Sequence, residues 1–194
     1  SPGLRVAVNL SGRQFERSAF SRLTRVLLGA GMDPASVEFE ITESVIMRDA
    51  DLALQLLREF KAIGARITVD DFGTGYSSLS YLKRFPVDAL KIDRSFVREV
   101  AQSSRDAAIT EAVIRLSRSL EMEVIAEGVE TSGQRDVLRH QGCRLMQGYF
   151  FGHPMPAGDM SLVLQKDGGR ISAVAAGDAS AHQKLIVSGS SSIE

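Results

Sequence analysis

Two adjacent aspartates, Asp70 and Asp71, give the chain its clearest capacity for chemistry. They follow Arg66-Ile67-Thr68-Val69, whose alternation predicts a β-strand, and they precede the glycine-rich stretch 72–76. Two ionised carboxylates side by side repel each other, so a fold that keeps both charged usually supplies a cation, most often a divalent metal. The stretch equally fits a strand that runs into an Asp-rich turn, where an aspartate caps the next helix.

Polar residues recur at the ends of the predicted strands. In each predicted strand, alternate residues form two sets: one set is apolar and the other ends in a polar residue. The polar residues at these strand ends are Asn9, Glu40, Asp70, Lys91, Glu127 and Gln147. In a parallel barrel the apolar parity packs on the helices and the other points inward, so all six would converge at the carboxyl-terminal mouth. Purely structural roles stay open for single residues: a turn cap for Asn9, an ion pair for Lys91 and a loop hydrogen bond for Gln147.

The charges of this group favour a metal site. Glu40, Asp70, Asp71 and Glu127 set four negative charges against the single positive charge of Lys91, a combination that requires cations. Carboxylate and amide oxygens suit Mg²⁺ or Mn²⁺. Zinc does not fit, because the three histidines lie outside the strand ends and the cysteine is alone. An acidic, oxygen-lined site of this kind favours a phosphate ester substrate attacked by metal-activated water.

The elements that position these residues alternate between strands and helices. Strands are predicted at 5–10, 37–42, 66–70, 87–92, 123–126 and 144–147, and helices at 15–30, 50–63, 79–85, 104–120, 132–141 and 156–165. This alternation predicts an α/β fold with a parallel sheet, either a barrel or an open doubly wound sheet. The absence of a glycine-rich phosphate loop after the first strand of the sequence argues against a dinucleotide-binding fold.

Composition predicts one globular domain. The 194 residues are 44% hydrophobic and 24% charged, with a net charge of −1, which argues against a nucleic-acid polymer as partner. The single cysteine excludes an internal disulfide and indicates a reducing, cytoplasmic location. No run is apolar enough to span a membrane, so any anchor would belong to a longer, membrane-attached protein. The Gly/Ser/Ala-rich tail, residues 166–194, is expected to be poorly ordered.

Six motifs in order resemble the EAL domain family, over residues 1–165. They are Val-Asn-Leu-Ser at Asn9, Glu-Ile-Thr-Glu at Glu40, the run from Asp70 to Tyr76, Leu90-Lys91-Ile92-Asp93, Ala126-Glu127-Gly128-Val129-Glu130-Thr131 and Gln147-Gly148-Tyr149-Phe150-Phe151-Gly152. The resemblance implies a modified, TIM-like (β/α)8 barrel. It also implies hydrolysis of cyclic di-GMP to linear pGpG with Mg²⁺ or Mn²⁺ as two ions, in bacterial second-messenger signalling.

The resemblance also assigns roles by position. The implied metal ligands are Asn9, Glu40, Asp70, Asp71 and Glu127. The residues implied in catalysis are Glu127 as general base, with Lys91 and Gln147 to hold and orient water, and those implied in substrate binding are Gln147, Gly148 and Tyr149. Glu43 is expected to brace the loop from Phe72 to Ser78, which in this family links the metal site to dimerisation. The implied partners are a second copy of the chain and upstream sensor or GGDEF domains.

One family feature does not occur in the sequence. The signature Glu-Ala-Leu belongs to the family's first strand, whereas this sequence begins at the second strand, and Glu111-Ala112-Val113 lies in a predicted helix. We therefore expect an N-terminally truncated barrel that lacks one metal ligand, has an unpaired edge open to strand exchange and turns over slowly. Three functions stay open: a cyclic di-GMP phosphodiesterase, a non-catalytic cyclic di-GMP receptor and an inactive fragment.

Overall fold

Seven parallel strands form one sheet in the computed structural model, which describes residues 5–75, 79–166 and 188–189. The strands are β1 (Val6–Asn9), β2 (Val37–Thr42), β3 (Arg66–Phe72), β4 (Ala89–Ile92), β5 (Glu123–Glu127), β6 (Leu145–Gln147) and β7 (Ser188–Gly189). Their order is β6-β5-β4-β3-β2-β1-β7. The first six therefore follow one another without a switch point, which is the winding of a barrel and not of a doubly wound sheet. The six predicted strands and the barrel-type fold are confirmed.

Eight α-helices accompany the described strands. They are α1 (Arg17–Gly29), α2 (Glu43–Arg48), α3 (Ala50–Ala62), α4 (Leu79–Leu82), α5 (Arg94–Arg98), α6 (Ser104–Ser119), α7 (Ser132–His140) and α8 (Ala157–Lys166), with a short 3₁₀ turn at Pro34–Ser36. The sequence did not predict α2 and α5, since neither is long enough to show helical periodicity. The start predicted for the fourth strand, residue 87, was two residues early. The strand begins at Ala89.

The core lies between the outward face of the sheet and the helices. Ile41 and Leu57 are fully buried. Phe60 of α3 anchors this layer, with its ring 4.9 Å from Phe20 in an edge-on contact and 4.7 Å from Phe39. Aromatic pairs at these distances add stabilisation beyond the burial of their area. The helices therefore hold the strands in place and leave the inward face free for polar residues.

At the amino-terminal end of the inward face, a buried carboxylate is surrounded by hydrogen-bonding and positively charged partners. Glu38 is buried and accepts a hydrogen bond of 2.7 Å from the Thr68 hydroxyl. The guanidinium groups of Arg5 and Arg66 lie 3.8 and 3.7 Å from its carboxylate. A buried carboxylate needs such partners. This end of the sheet is therefore structural, in contrast to the carboxyl-terminal end described below.

The predicted tail falls largely outside the described residues. Between Lys166 and the end of the chain only Ser188–Gly189 is described, and it forms β7. Poor order in the tail thus stays a prediction, as does the boundary at 165. In the described ranges, no helix combines the length and the apolar character needed to cross a membrane.

Candidate metal centre and active site

A buried ammonium group lies at the centre of the acidic cluster at the carboxyl ends of the strands. Lys91 Nζ donates to Glu40 Oε2 at 3.1 Å and to Asp70 Oδ2 at 3.3 Å, and it lies 3.5 Å from Glu127 Oε2. Burial alone would lower the pKa of Lys91, but the charges of these three carboxylates outweigh burial and raise the pKa above its usual value. The structure thus brings together four of the predicted site residues, one from each of β2 to β5.

A local irregularity in β3 allows both adjacent aspartates to serve one site. In a regular strand, Asp70 and Asp71 would point to opposite faces. Here the pairing of β3 with β4 shifts register between Val69 and Phe72, and Asp71 has a left-handed φ of 53°. Carboxylate oxygens of Asp70, Asp71 and Glu127 consequently lie within 4.8 Å of one another. Aspartate tolerates this backbone region better than most residues, which suits the position.

Two carboxyl groups of the cluster have raised pKa values. Burial raises the pKa of Glu40, and the negative charge of Asp70 adds to this, while Lys91 opposes it. Burial also raises the pKa of Asp71, followed by the charges of Asp70 and Asp93. Burial is the largest cause of both shifts and neighbouring carboxylates add to it, so a cation bound here would stabilise the ionised forms.

Two buried oxygens at the mouth support the same conclusion. Glu40 Oε1 and Gln147 Oε1 have no hydrogen-bond partner among the described residues. Leaving buried polar atoms unpaired is costly, so such atoms call for a further ligand. Asp70, Asp71 and Glu127 offer only carboxylate oxygens, which form a hard donor set that fits Mg²⁺ or Mn²⁺.

Asn9 and Gln147 flank the cluster on its two sides. Asn9 ends β1 level with Glu40 of β2 and is exposed, and Gln147 ends β6 level with Glu127 of β5 and is half-buried. Both lie at the predicted strand ends. Their register places them beside the cluster, but a ligand role for Asn9 and a water-orienting role for Gln147 stay predictions.

The loop after β6 brings backbone and an exposed ring to the mouth. Gly148 has φ 154°, and a Cβ there would lie 2.2 Å from the carbonyl oxygen of Val129, so only glycine fits this approach. The amide of Val129 donates in turn to the carbonyl of Gln147 at 3.0 Å. Tyr149 is 56% exposed, and its ring centroid lies 4.4 Å from that of His153. An aromatic face is thus available near the site.

Asp93 is a site residue to which the sequence reasoning gave no role. Its side chain accepts a 2.9 Å hydrogen bond from Ser95 N at the start of α5, and it shares a hydrogen bond with the carboxyl group of Asp71. Burial would raise the pKa of Asp93, but these hydrogen bonds lower it. The signal was available, because Asp93 lies two residues after Lys91 and therefore has the same inward parity.

Glu43 connects α2 to the loop that follows the aspartate pair. It is the first residue of α2, is 4% exposed and accepts a hydrogen bond of 3.0 Å from Gly73 N. Thr42, the residue before α2, makes no side-chain capping bond. The contact fits the predicted bracing role over the described part of the loop. Tyr76–Ser78 lie outside the described residues.

Glu43→Ala is expected to loosen this loop and to lower activity by roughly 10- to 100-fold, because an ionised acceptor for a backbone amide is lost. Amide exchange at Gly73 should accelerate, while the midpoint of urea unfolding moves little. The matched control is Glu43→Gln, which keeps a neutral acceptor oxygen. If Gly73 exchanges at the same rate in the wild type and in Glu43→Ala, the bracing role is wrong.

Comparison with known proteins places the chain in a family. Residues 1–154 match the profile of the EAL domain, and the chain belongs to this family. It is 48% identical over 153 residues to the bifunctional diguanylate cyclase/cyclic di-GMP phosphodiesterase MucR of Pseudomonas aeruginosa, which covers 78% of this chain and 22% of MucR. The chain therefore spans about a fifth of the length of this curated relative.

Solved structures show the same fold. A structure described as the PaMucR phosphodiesterase in complex with c-di-GMP superposes with a TM-score of 0.78 at 46% identity, over 80% of this chain and 64% of that one. BlrP1 of Klebsiella pneumoniae, solved with manganese and cy-diGMP, superposes with a TM-score of 0.71 at 36% identity, over 77% and 38% of the two chains. Both likenesses confirm the EAL-type barrel expected from the six motifs.

Proposed function

We propose that this domain hydrolyses cyclic di-GMP to linear pGpG with two Mg²⁺ or Mn²⁺ ions. The observation that carries the proposal is the mouth itself, where Lys91 meets three carboxylates and the irregularity in β3 adds Asp71 to the same cluster. The proposal is supported by relatives named as cyclic di-GMP phosphodiesterases, among them PdeR of Escherichia coli at 41% identity over 155 residues.

The carboxylate side chains have distinct parts in the proposed reaction. Asp70, Asp71 and Glu127 would hold the ions, with Glu40 and Asn9 on the β1 side of the site. Bound divalent ions supply Lewis-acid activation of the phosphodiester and of water. Glu127 is half-buried and lies at the open side of the cluster, so it is placed to take the proton of the attacking water as general base.

Lys91 and the loop after β6 would orient the reactants. The raised pKa keeps Lys91 cationic at neutral pH, so its ammonium group can donate to the attacking water or to a phosphoryl oxygen. Gln147 Oε1, buried and unpaired among the described residues, can accept from that water. Gly148 lets the backbone approach closely, and the exposed ring of Tyr149 offers a stacking face for a guanine base.

The experiment incubates the chain with cyclic di-GMP and Mn²⁺ and follows binding and pGpG together. Formation of pGpG that EDTA stops supports the phosphodiesterase. Binding without cleavage would contradict hydrolysis and favour the alternative, a non-catalytic cyclic di-GMP receptor. Neither binding nor cleavage would contradict both.

Location and partners form part of the same proposal. We place the domain in the cytoplasm, since Cys143 is a free, buried thiol. The name of the Pseudomonas relative joins a diguanylate cyclase to a phosphodiesterase, which supports a GGDEF or sensor domain elsewhere in a longer protein. A homodimer through the loop braced by Glu43 is proposed from the family resemblance.

Cation binding is expected to release protons, and more of them at lower pH. The pKa values of Glu40 and Asp71 are raised in the metal-free protein. Both carboxyl groups therefore keep part of their protons at pH values above their ordinary pKa. A cation binds the ionised forms, so its binding displaces these protons. Mn²⁺ affinity should therefore rise with pH until both carboxyl groups are ionised, and it should then level off. Calorimetry in two buffers of different ionisation enthalpy measures the release. Identical heats in both buffers at the acidic end would contradict the expectation.

A further inference from the structure

The loop between β5 and α7 begins directly after Glu127 and is held against two neighbouring elements. Gly128 has a left-handed φ of 77°, and a Cβ there would lie 2.6 Å from the Cβ of Arg94 in α5. Val129 is fully buried, and its amide donates to the carbonyl of Gln147 at 3.0 Å. The first half of the loop is therefore packed on α5 and on the end of β6.

The second half of the loop is held by the side chain of Gln134, which lies in the first turn of α7 and is 6% exposed. Gln134 Oε1 accepts hydrogen bonds from Glu130 N at 2.7 Å and from Thr131 N at 2.9 Å. Gln134 Nε2 donates at 2.9 Å to the carbonyl of Arg98, the last residue of α5. One buried amide thus connects the loop, α7 and α5.

Helix α5 is linked at its other end to the aspartate pair. Asp93 is the N-cap residue of α5 and shares a hydrogen bond with the carboxyl group of Asp71. Val97, within the helix, is fully buried. Helix α5 therefore bridges the Asp71 side and the Glu127 side of the cluster, and Gln134 provides the second of these links.

Part of this contact set is a helix cap. Thr131 Oγ1 accepts from Gln134 N at 3.3 Å, and Gln134 Oε1 accepts from Thr131 N, which together make a capping box for α7. Glutamate serves at this position of a capping box as glutamine does. The donation to Arg98 lies outside the capping box, and it needs the NH₂ group that glutamate lacks.

We propose that Gln134 is a positioning residue for the metal site, whose amide holds the loop onto α5 and thereby fixes Glu127 beside Asp70 and Asp71. Outer partners that orient metal ligands commonly account for about 10- to 100-fold in affinity or activity. Gln134 acts through the loop, so its consequence for catalysis rests on the proposed function. The hold on the loop is measurable without metal.

Gln134→Glu separates positioning from capping, because it keeps the acceptor oxygen and loses the donor to Arg98. Exchange of the Val129 amide in the metal-free chain should accelerate at least about tenfold, and Mn²⁺ should bind roughly 10-fold more weakly. Gln134→Met is similar in shape and loses all three side-chain bonds. It should show both effects, and it provides the test if the buried carboxylate unfolds Gln134→Glu.

Thr131→Ala is the matched control. It breaks the capping box but leaves the three side-chain bonds of Gln134, so it should lower the midpoint of urea unfolding and leave Val129 exchange and Mn²⁺ affinity unchanged.

Three results would overturn the proposal. They are wild-type exchange and affinity in both Gln134 variants, equal losses in Thr131→Ala, and faster Val129 exchange with unchanged Mn²⁺ affinity, since the loop would then move without displacing Glu127. A wild-type chain that binds no Mn²⁺ would instead refute the proposed function, and Val129 exchange would still decide whether Gln134 holds the loop.

Discussion

Replacing Lys91 with methionine is expected to lower the free energy of unfolding of the metal-free protein by about 3–5 kcal/mol at neutral pH. The substitution keeps the apolar stem and removes the buried charge that compensates Glu40, Asp70 and Glu127. Hydrolysis should be lost as well. Because the deficit is one of positive charge, millimolar Mn²⁺ should restore much of the stability of the variant.

The pH dependence of this loss has a definite sign. Without Lys91, the raised pKa of Glu40 rises further, since the lysine is what opposes the shift. A carboxyl group whose folded pKa is above its unfolded value contributes stability at low pH and loses it as pH rises. The deficit of Lys91→Met should therefore be smaller in acid than at neutral pH.

Lys61→Met is the matched control for Lys91→Met. Lys61 pairs with Asp88 at 2.7 Å but is 34% exposed, so its loss should cost at most about 1 kcal/mol, with no recovery in Mn²⁺. Urea unfolding of both variants, with and without Mn²⁺, makes the comparison. Near wild-type stability of metal-free Lys91→Met, or no response to Mn²⁺, would contradict the account of the cluster.

Asp70→Asn is expected to abolish measurable hydrolysis and to weaken Mn²⁺ binding by roughly 10- to 100-fold. Asparagine keeps the shape of the side chain and can still accept from the amide of Asp71, which now donates to Asp70 Oδ1 at 2.9 Å. The substitution removes the negative charge that Asp70 contributes beside Asp71 and Glu127. The metal-free variant should stay folded, because the substitution removes one of the negative charges that repel each other in the cluster.

Activity and Mn²⁺ affinity of Asp70→Asn are both compared with those of the wild-type 194-residue chain. Asp136→Asn is the control, since Asp136 is exposed and pairs with Arg135. It should leave both properties unchanged. If Asp70→Asn binds Mn²⁺ as the wild type does, Asp70 is not a ligand.

The strand ends were predictable because one rule governs them. Alternation assigns Glu40, Lys91 and Gln147 to the inward face, and parallel strands carry their carboxyl ends to one mouth. The structure confirms that Glu40, Asp70, Lys91 and Glu127 meet. The six family motifs gave the same answer independently. Their individual roles stay predictions.

Features that break the alternation rule were not predictable. The irregularity at Asp70–Asp71 depends on the pairing of β3 with β4, which local sequence does not encode. The short helices α2 and α5 are positioned by the strands before them and not by their own periodicity. The pairing of β7 joins residues about 180 positions apart, and such long-range contacts leave no local signal.

Titration of the 194-residue chain with Mn²⁺, followed by the electron paramagnetic resonance signal of the free ion, tests the central claim most directly. The mouth cluster predicts saturable binding that cyclic di-GMP strengthens, since ligands of one site are thermodynamically linked. It also predicts that Asp70→Asn weakens this binding by roughly 10- to 100-fold while Asp136→Asn leaves it unchanged. No saturable binding by the wild type, or equal binding by Asp70→Asn, would contradict the assignment of this mouth as a metal centre.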